Sequence, residues 1–245
     1  MKYSLLILLF VAAIIVSCKK TNSSNVNVLF YNGTWSVPAI TAAWNGNNVI
    51  TTGIAQGQSS GTSFSPYLKE PAGTNLVTIK IGTDSLSKNV YAASSAGTSF
   101  LFYDDSSAAA VTGTAISVLQ LTDDLTLPDT ASINYRFINL SPDTSATVDV
   151  LLVNGTTDSL GLITASGAFI GAGADPAAVQ PFLNQKYHGE GYTIKIKKSG
   201  TEALLASVPN YFFAVRGIYS IIFSGVSTGS GSTAFKVSVL HHFAQ

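Results

Sequence analysis

Two short stretches of this sequence place a serine between glycines in the pattern Gly-x-Ser-x-Gly, centred on Ser59 and on Ser227. A nucleophile elbow of this pattern exposes a reactive serine on a tight turn from a strand into a helix. Both stretches instead lie in segments rich in serine, glycine and threonine, with no helical periodicity behind them. We therefore predict no catalytic residue, and a serine hydrolase remains the second alternative.

The three histidines are poorly placed to share a metal ion. His241 and His242 are adjacent near the end of a predicted strand, and neighbouring side chains of a strand point to opposite faces of its sheet. His188 lies in a distant predicted loop. Cys18 is the only cysteine, which excludes a zinc site built from several thiolates. We predict neither a metal nor a cofactor.

Two pairs of adjacent carboxylates, Asp104-Asp105 and Asp123-Asp124, follow predicted strands. If these strands form a hairpin, the two pairs lie at its opposite ends. That separation is too large for an acid/base pair, whose carboxyl groups must flank one reacting bond. We predict that both pairs are solvated at strand ends.

Three residues are candidates for ligand contact. Asp143 and Asp149 lie near a Ser-Pro turn, where carboxylates can bind calcium, although two ligands are too few and a turn-forming role explains Asp143 equally well. Trp35, beside Pro38, is expected to be more exposed than Trp44 and could present a flat face to a sugar. A sandwich core also needs one or two tryptophans, so we favour burial of both, with the exposed platform as the alternative.

The charge balance argues against nucleic acid as a partner. Of the 245 residues, 46% are hydrophobic and only 11% are charged, against about 25% charged in typical domains. The 13 basic and 13 acidic side chains cancel. A nucleic-acid binder needs a basic face that displaces phosphate counterions, and this composition does not supply one.

The first residues of the chain have the pattern of an export signal. Lys2 is followed by an apolar run, Leu5 to Val16, which is too short to span a bilayer. The run ends at Cys18 in a sequence that resembles the lipobox of bacterial lipoproteins. That resemblance implies removal of residues 1–17, lipidation of Cys18, and anchoring in the cell envelope, for which we expect the outer membrane. The membrane is then a partner through the lipid on Cys18; a secreted chain without lipid is the alternative.

The remainder of the sequence is internally repeated. Segments near residues 26, 45, 66, 78, 99 and 117 match later segments at offsets that grow from 107 to 109, 115 and 121. An offset that only grows, with each step between matched segments, indicates two related copies that differ by small loop insertions. We predict a tether over residues 18–25, a first domain over 26–124, a linker over 125–132 and a second domain over 133–245.

Both copies have the periodicity of strands. Ile79 and Ile81 alternate with polar residues, as do Ile194 and Ile196, which places apolar side chains on one face of a sheet. Short apolar runs are separated at close intervals by glycine, asparagine, aspartate, proline and serine. Short strands separated by such turn-forming residues are typical of antiparallel sandwiches. The sequence therefore predicts an all-β chain of two tandem β-sandwiches.

The second copy resembles a known family. The run from Ile133 through Asp143, with Val148-Asp149-Val150, Asn154-Gly155 and the later strands from Tyr192 and Tyr219, is similar to the family called domain of unknown function 4397. This resemblance implies tandem immunoglobulin-like sandwiches of bacterial envelope proteins with no established activity. The first copy has Gly33 to Pro38 in place of the Ser-Pro-Asp signature. Together with the lipobox, the pattern resembles lipoproteins of the Bacteroidota.

Three hydroxyl residues resemble the Asp-Ser/Thr-aliphatic sites that Bacteroidota glycosylate on exported proteins. They are Ser85, Thr130 and Ser159, each preceded by aspartate and followed by leucine or alanine. The motif is short, and turn chemistry explains it as well. From all these features we predict a non-enzymatic, lipid-anchored binding or structural module whose partner is a glycan or another envelope protein. A carbohydrate-binding lipoprotein of a polysaccharide-uptake system is the first alternative.

Overall fold

The computed structural model describes residues 24–62, 65–82, 84–105, 116–143, 147–154, 163–167, 169–170, 175–186, 189 and 191–242. The chain is built from strands, and the described part contains no α-helix, which confirms the all-β prediction. The strands of the first half are β1 (Asn25–Asn32), β2 (Ala39–Trp44), β3 (Asn47–Ala55), β4 (Leu68–Pro71), β5 (Gly73–Ile81), β6 (Asp84–Ala92), β7 (Gly97–Asp104) and β8 (Ile116–Asp123). Those of the second half are β9 (Ser132–Asn139), β10 (Val148–Asn154), β11 (Ile163–Gly167), β12 (Leu183–Lys186), β13 (Tyr192–Lys198), β14 (Leu204–Tyr211), β15 (Ile218–Ser224) and β16 (Lys236–His242).

The strand order of the first half is repeated in the second. The first sandwich pairs sheet β4-β1-β7-β8 with sheet β3-β2-β5-β6, and the second pairs β12-β9-β15-β16 with β11-β10-β13-β14. Each strand of the second set has the position of the strand eight places earlier in the first. β9 begins 107 residues after β1, β10 begins 109 after β2, β12 115 after β4 and β15 121 after β7. These are the offsets of the sequence repeat.

Each sandwich contains one parallel strand pair in an otherwise antiparallel arrangement. β1 pairs in parallel with β7, and β9 pairs in parallel with β15. The other strand pairs named above are antiparallel, for example β7 with β8 and β15 with β16. The first strand of each half therefore lies beside the seventh and carries neighbours on both of its edges.

Each sandwich has its own apolar core, because side chains alternate between the two faces of a strand. In β1, Val28 and Phe30 point into the first core, where Phe30 packs against Phe100 with ring centroids 5.6 Å apart. In β9, Tyr135 and Phe137 point into the second core. The opposite faces of the same strands are also buried from Leu29 onward in β1 and from Arg136 onward in β9.

A third apolar cluster joins the two sandwiches, and we call this contact the seam. It lies between sheet β4-β1-β7-β8 and sheet β12-β9-β15-β16. Its fully buried members include Leu29 and Leu101 from the first sandwich and Ile138 and Ile222 from the second. The seam explains why the apolar runs of β7 and β15 are continuous rather than alternating, since both faces of these strands are covered.

The predicted export signal lies outside the described residues, and so does Cys18. Within the described ranges no helix is long and apolar enough to cross a bilayer. β8 ends at Asp123 and β9 begins at Ser132, so eight residues connect the sandwiches.

Candidate functional site

A closed ring of hydrogen-bonded polar side chains crosses the seam, and we call it the polar ring. Its members are Tyr67 and Asp123 from the first sandwich and Arg136, Ser220 and His242 from the second. Arg136 Nη2 donates to Asp123 Oδ1 at 2.5 Å, and Arg136 Nε donates to Ser220 Oγ at 2.8 Å. Ser220 Oγ lies 2.7 Å from His242 Nε2, and His242 Nδ1 lies 2.6 Å from the Tyr67 hydroxyl, which donates to Asp123 Oδ2 at 2.7 Å.

These contacts fix the tautomer of His242. The single proton of the Tyr67 hydroxyl is given to Asp123, so His242 Nδ1 must carry the proton that it donates to the tyrosine oxygen. His242 Nε2 then accepts from the hydroxyl of Ser220. The imidazole is neutral at pH 7 because its pKa lies well below this value. Burial, together with the charge of Arg136, lowers the pKa of His242 to about 3 despite the opposing effect of Asp123.

Burial on its own would raise the pKa of Asp123, but the charge of Arg136 and the hydrogen bonds from Ser99 and Tyr67 outweigh it, so this pKa lies below its ordinary value. Burial and the neighbouring Asp123 raise the pKa of Tyr67. At neutral pH the ring thus holds one buried ion pair, and its other members are neutral. The Arg136 guanidinium also lies over the ring of Phe182, 4.5 Å from its centroid.

The polar ring contains a serine, a histidine and an aspartate, but its arrangement suits structure rather than nucleophilic attack. Ser220 and Asp123 have no exposed surface, and His242 is 1% exposed. The serine oxygen is already bonded on both sides, by Arg136 and by His242. The ring therefore links the two sandwiches through hydrogen bonds and one buried ion pair.

Tyr67, Arg136 and Ser220 are not predicted from the sequence to have this role. One signal was available: Arg136 is the only charged residue of β9, a strand that is otherwise largely apolar and buried. The carboxylate pairs were located correctly at opposite ends of the β7–β8 hairpin, since Gly97 pairs with Asp123 and Asp104 with Ile116. The expected solvation of Asp104 and Asp123 is wrong, because both are fully buried.

Asp104 closes the loop between β1 and β2. Its Oδ2 accepts a hydrogen bond from the backbone N–H of Trp35 at 2.6 Å and one from that of Ser36 at 3.2 Å, and its Oδ1 accepts from the Ser36 hydroxyl. Burial raises the pKa of Asp104 above its ordinary value, and these hydrogen bonds offset only part of that effect. Trp35 is consequently held inward and is 8% exposed, and Trp44 is 1% exposed. Burial of both tryptophans, which the sequence favours, is confirmed, and the alternative of a sugar-binding face on Trp35 is wrong because its ring is buried.

The corresponding loop of the second sandwich is closed by Asp143. Asp143 Oδ2 accepts hydrogen bonds from the backbone N–H and the hydroxyl of Ser227, both at 2.6 Å. Asp149 is buried, and its Oδ2 accepts a bond of 3.4 Å from the N–H of Gly200. Among the described residues, no group of three or more histidine, cysteine, aspartate or glutamate side chains could hold a metal ion. These contacts show that Asp143 joins two loops of the second sandwich, and its role in forming a turn within its own loop stays a prediction.

A cleft opens along the seam between the loop that follows β3 and the last strand, β16. Its volume is about 540 Å³, within the usual range of ligand sites. A methyl group on Gly57 would lie 3.1 Å from Ser238 Oγ, so the two sandwiches approach closely here. The cleft is lined by Tyr31, Gly57, Gln58, Ser59, Gly61, Thr62, Pro66, Tyr211, Val237, Ser238, Val239, Leu240 and His241.

The side chains that line this cleft are neutral at pH 7. Burial lowers the pKa of His241 to about 4, and its ring stacks on Tyr219 with centroids 4.4 Å apart. Burial raises the pKa of Tyr31 to about 12, and Ser238 is the side chain that opposes this shift. The lining residues include neither carboxylates nor lysine or arginine, although Lys236 lies beside Gly57. The cleft therefore offers hydroxyl and amide groups together with an aromatic ring, Tyr211.

The two candidate nucleophiles lie in different places. Ser59 lines the cleft and forms a backbone bridge with Tyr31, in a loop that no helix follows before β4 among the described residues. The Ser227 hydroxyl donates to Asp143 rather than to a histidine. Neither serine therefore has the strand-to-helix turn that a nucleophile elbow requires. His188 lies outside the described residues.

The predicted glycosylation sites are distributed over the surface. Ser85 is exposed in β6, and Thr130 is exposed in the connection between β8 and β9. Ser159 lies outside the described residues. Modification at these positions stays a prediction.

No protein-family model and no curated protein matches the chain. Its resemblance to the domain of unknown function 4397 is therefore not shown. Among solved structures, one similar chain is a candidate polysaccharide-binding protein of the domain of unknown function 1812 from Bacteroides thetaiotaomicron, with 11% identity, a TM-score of 0.26 and coverage of 90% of this chain and 98% of that one.

Two further solved structures are similar at the same level. One is a candidate cell adhesion protein from Bacteroides fragilis, with 9% identity, a TM-score of 0.24 and coverage of 90% and 98%. The other is a candidate adhesin from Bacteroides ovatus, with 8% identity, a TM-score of 0.21 and coverage of 90% and 95%. At TM-scores this far below 0.5 no function is transferred from them.

Proposed function

We propose that this chain is a non-enzymatic, lipid-anchored protein of the bacterial cell envelope that works by binding, with the seam cleft as its binding site. The cleft itself is the observation that supports a binding role. Its two walls come from different sandwiches, and the polar ring and the apolar seam hold them in one arrangement. A preformed site of this kind loses little conformational freedom when a ligand enters.

The chemistry of the cleft favours a neutral, polar ligand, and we propose a glycan. Hydroxyl and amide groups of Gln58, Ser59, Thr62 and Ser238 match the donors and acceptors of sugar hydroxyls, and the Tyr211 ring provides an apolar surface for the C–H face of a sugar. A phosphate or carboxylate ligand would find no cationic side chain among the lining residues.

The glycan proposal is tested by filling the cleft. Purified protein is applied to an array of neutral and acidic glycans, and the affinity of the best neutral glycan is then measured for Ser59→Trp, in which an indole occupies the cleft. Ser87→Trp is the matched control, since Ser87 is exposed on β6 in the first sandwich. We expect at least a tenfold loss of affinity for Ser59→Trp and none for Ser87→Trp. A preference for acidic glycans, or equal affinity in both variants, would contradict the proposal.

The anchor is tested separately, by the mass of the amino-terminal peptide. In bacteria that process lipoproteins, we expect the mature chain to begin at Cys18 and to carry fatty acids, and the protein to partition into the membrane fraction. Cys18→Ala should abolish both lipidation and partitioning. Cleavage at another residue would rule out the lipoprotein assignment while leaving the cleft proposal in place.

The absence of catalysis also has a direct test, because Ser59 and His241 line the same cleft. We expect hydrolysis of a chromogenic ester or glycoside at the rate of the buffer alone. A rate that exceeds this background and disappears in Ser59→Ala would show that the cleft is an active site.

A further inference from the structure

The first strands of both sandwiches begin at the same end of the molecule, which we call the basal end. At the opposite end, a methyl group on Gly33, just after β1, would lie 2.6 Å from Leu140 Cδ1, just after β9. The ends of β1 and β9 are thus neighbours. The two sandwiches lie side by side, and their first strands run in the same direction. The connection from Asp123 to Ser132 accordingly joins the basal end of one sandwich to the basal end of the other.

Three segments meet at the basal end: the start of β1, the connection between the sandwiches, and the loop between β14 and β15. Asn27 of β1 shares a groove with residues 122–126, which form the end of β8 and the start of the connection. Arg216 of the β14–β15 loop makes two hydrogen bonds to this connection and to β9. Its Nε donates to the carbonyl oxygen of Pro128 at 3.2 Å, and its backbone N–H donates to the carbonyl oxygen of Ser132 at 3.0 Å.

The β14–β15 loop ends in a tight turn with Val215 and Arg216 at its tip. The N–H of Gly217 donates to the carbonyl oxygen of Ala214 at 3.0 Å, and Arg216 has a φ of 62° while Val215 has a negative one. This is the geometry of a type II turn, whose third position normally holds glycine. Arginine at that position is strained, and the contacts of Arg216 with Pro128 and Ser132 hold it there.

Exposed apolar side chains are concentrated at the basal end. Phe212 is 67% exposed, Val215 55% and Leu127 44%, and Tyr91, one residue before the end of β6, is 67% exposed. These are four of the six large apolar side chains that are exposed in the described part of the chain. Leu204, 54% exposed, lies at the start of β14 and hence at the other end.

The predicted lipid attachment point lies close to this surface. β1 begins at Asn25, seven residues after Cys18, and a chain of that length spans at most about 25 Å. A lipid on Cys18 therefore keeps the basal end near the bilayer. Aromatic and aliphatic side chains next to a cation, as with Phe212, Val215 and Arg216, suit the boundary between lipid headgroups and acyl chains.

We propose that the basal end rests on the bilayer, with Phe212, Val215 and Leu127 inserted at the membrane interface and the opposite loops directed away from it. This inference rests on the proposed lipid anchor at Cys18. It gives the anchored protein a fixed orientation, in place of free rotation on a tether. The occupant of the apolar surface is then the lipid of the membrane that holds the anchor.

The orientation is tested with one tryptophan at each end, Phe212→Trp and, as the matched control, Leu204→Trp. The chain from Cys18 onward, which includes every residue that the structure describes, is coupled through its only thiol to maleimide-bearing lipid in phosphatidylcholine vesicles. The native tryptophans, Trp35 and Trp44, are buried and contribute equally to both variants. Fluorescence is quenched from the lipid side by brominated acyl chains and from the water side by acrylamide.

We expect brominated lipid to quench the added indole of Phe212→Trp at least twice as strongly as that of Leu204→Trp, and acrylamide to give the reverse order. Val215→Trp should behave like Phe212→Trp. Equal quenching of the two variants by both agents would overturn the proposed orientation, as would adsorption through the opposite end. Because the anchor here is chemical, a failure of natural lipidation would show in the mass of the amino-terminal peptide and not in this measurement.

Discussion

At the scale of single residues, the most consequential group is the buried pair of Arg136 and Asp123. Taking two charges out of water costs several kcal/mol, which their attraction and additional hydrogen bonds must offset. Here Ser99, Tyr67 and Ser220 supply those additional bonds. The pair contributes little net stability by itself, but loss of one partner would leave the other charge buried without compensation.

We expect Arg136→Met to lower the free energy of unfolding by about 3 to 5 kcal/mol, because Asp123 then stays buried and unpaired. Urea unfolding followed by circular dichroism measures this change. The matched control is Lys197→Met, which removes the half-buried partner of the exposed Glu202 and should cost less than about 1 kcal/mol. The double variant Arg136→Met/Asp123→Leu should recover most of the loss; a loss no larger than that of the control would contradict the role of the ring.

The neutral state of His242 has a consequence for stability against pH. The unfolded chain binds a proton at this histidine below about pH 6.5, whereas the folded chain resists protonation down to about pH 3. The unfolded state therefore binds more protons between these values, and stability must fall as the pH falls through this window.

Between pH 6.5 and 4.5 we expect His242 to contribute a loss of about 2 to 3 kcal/mol in the free energy of unfolding. His242→Gln, whose amide does not titrate, should remove this part of the slope. Urea titrations at the two pH values provide the measurement. An unchanged slope in the variant would mean that His242 is protonated in the folded protein.

At the scale of elements, the same loop is closed by a carboxylate in both sandwiches, but from opposite sides. In the first sandwich Asp104, at the end of β7, bonds the loop after β1. In the second, Asp143 lies in the loop after β9 and bonds the loop after β15. In both sandwiches a carboxylate therefore links the loop after the first strand to the end of the seventh strand or to the loop that follows it. The carboxylate belongs to the seventh strand in the first sandwich and to the loop after the first strand in the second.

Asp104→Ala should cost about 1 to 3 kcal/mol, because two backbone N–H groups and the Ser36 hydroxyl lose their acceptor. Trp35 should become exposed, and we expect its fluorescence to shift to the red. Asp105→Ala, which removes a contact with Ser117 and leaves the bonds of Asp104 in place, is the control. An unshifted emission spectrum in Asp104→Ala would show that the loop is held by other contacts.

Strand positions could be predicted from the sequence because they depend on local periodicity and on the repeat. Ile194 and Ile196 are buried as their alternation with Thr193 and Lys195 predicts. The partners of Arg136 and the bond between Asp104 and Trp35 could not be predicted in this way. Both depend on tertiary contacts that local periodicity does not report. Arg136 bonds Ser220 of a neighbouring strand and Asp123 across the seam, and Trp35 bonds Asp104, 69 residues later.

At the scale of the whole molecule, the seam makes the two sandwiches one mechanical unit. Its apolar cluster draws on both inner sheets, and the polar ring fastens them at the side of Asp123. Domains joined through a large apolar contact unfold together, whereas domains joined only by a linker unfold independently.

We expect the chain to unfold in a single calorimetric transition whose van't Hoff and calorimetric enthalpies agree. Ile138→Ser/Ile222→Ser places two hydroxyls on the seam and leaves the side chains of both sandwich cores unchanged. The variant should show two transitions. A wild-type profile already split in two would mean that the seam contributes little to stability.

The double coverage of β7 and β15 has a last consequence, for how freely this sequence can change. A strand on an outer sheet, such as β6 or β14, has solvent-facing positions where many amino acids are acceptable. Along β7 and β15 every side chain is buried, so no alternate position is available for neutral drift. A library of all single substitutions should record tolerance with a period of two residues in the outer strands and uniform intolerance in these two.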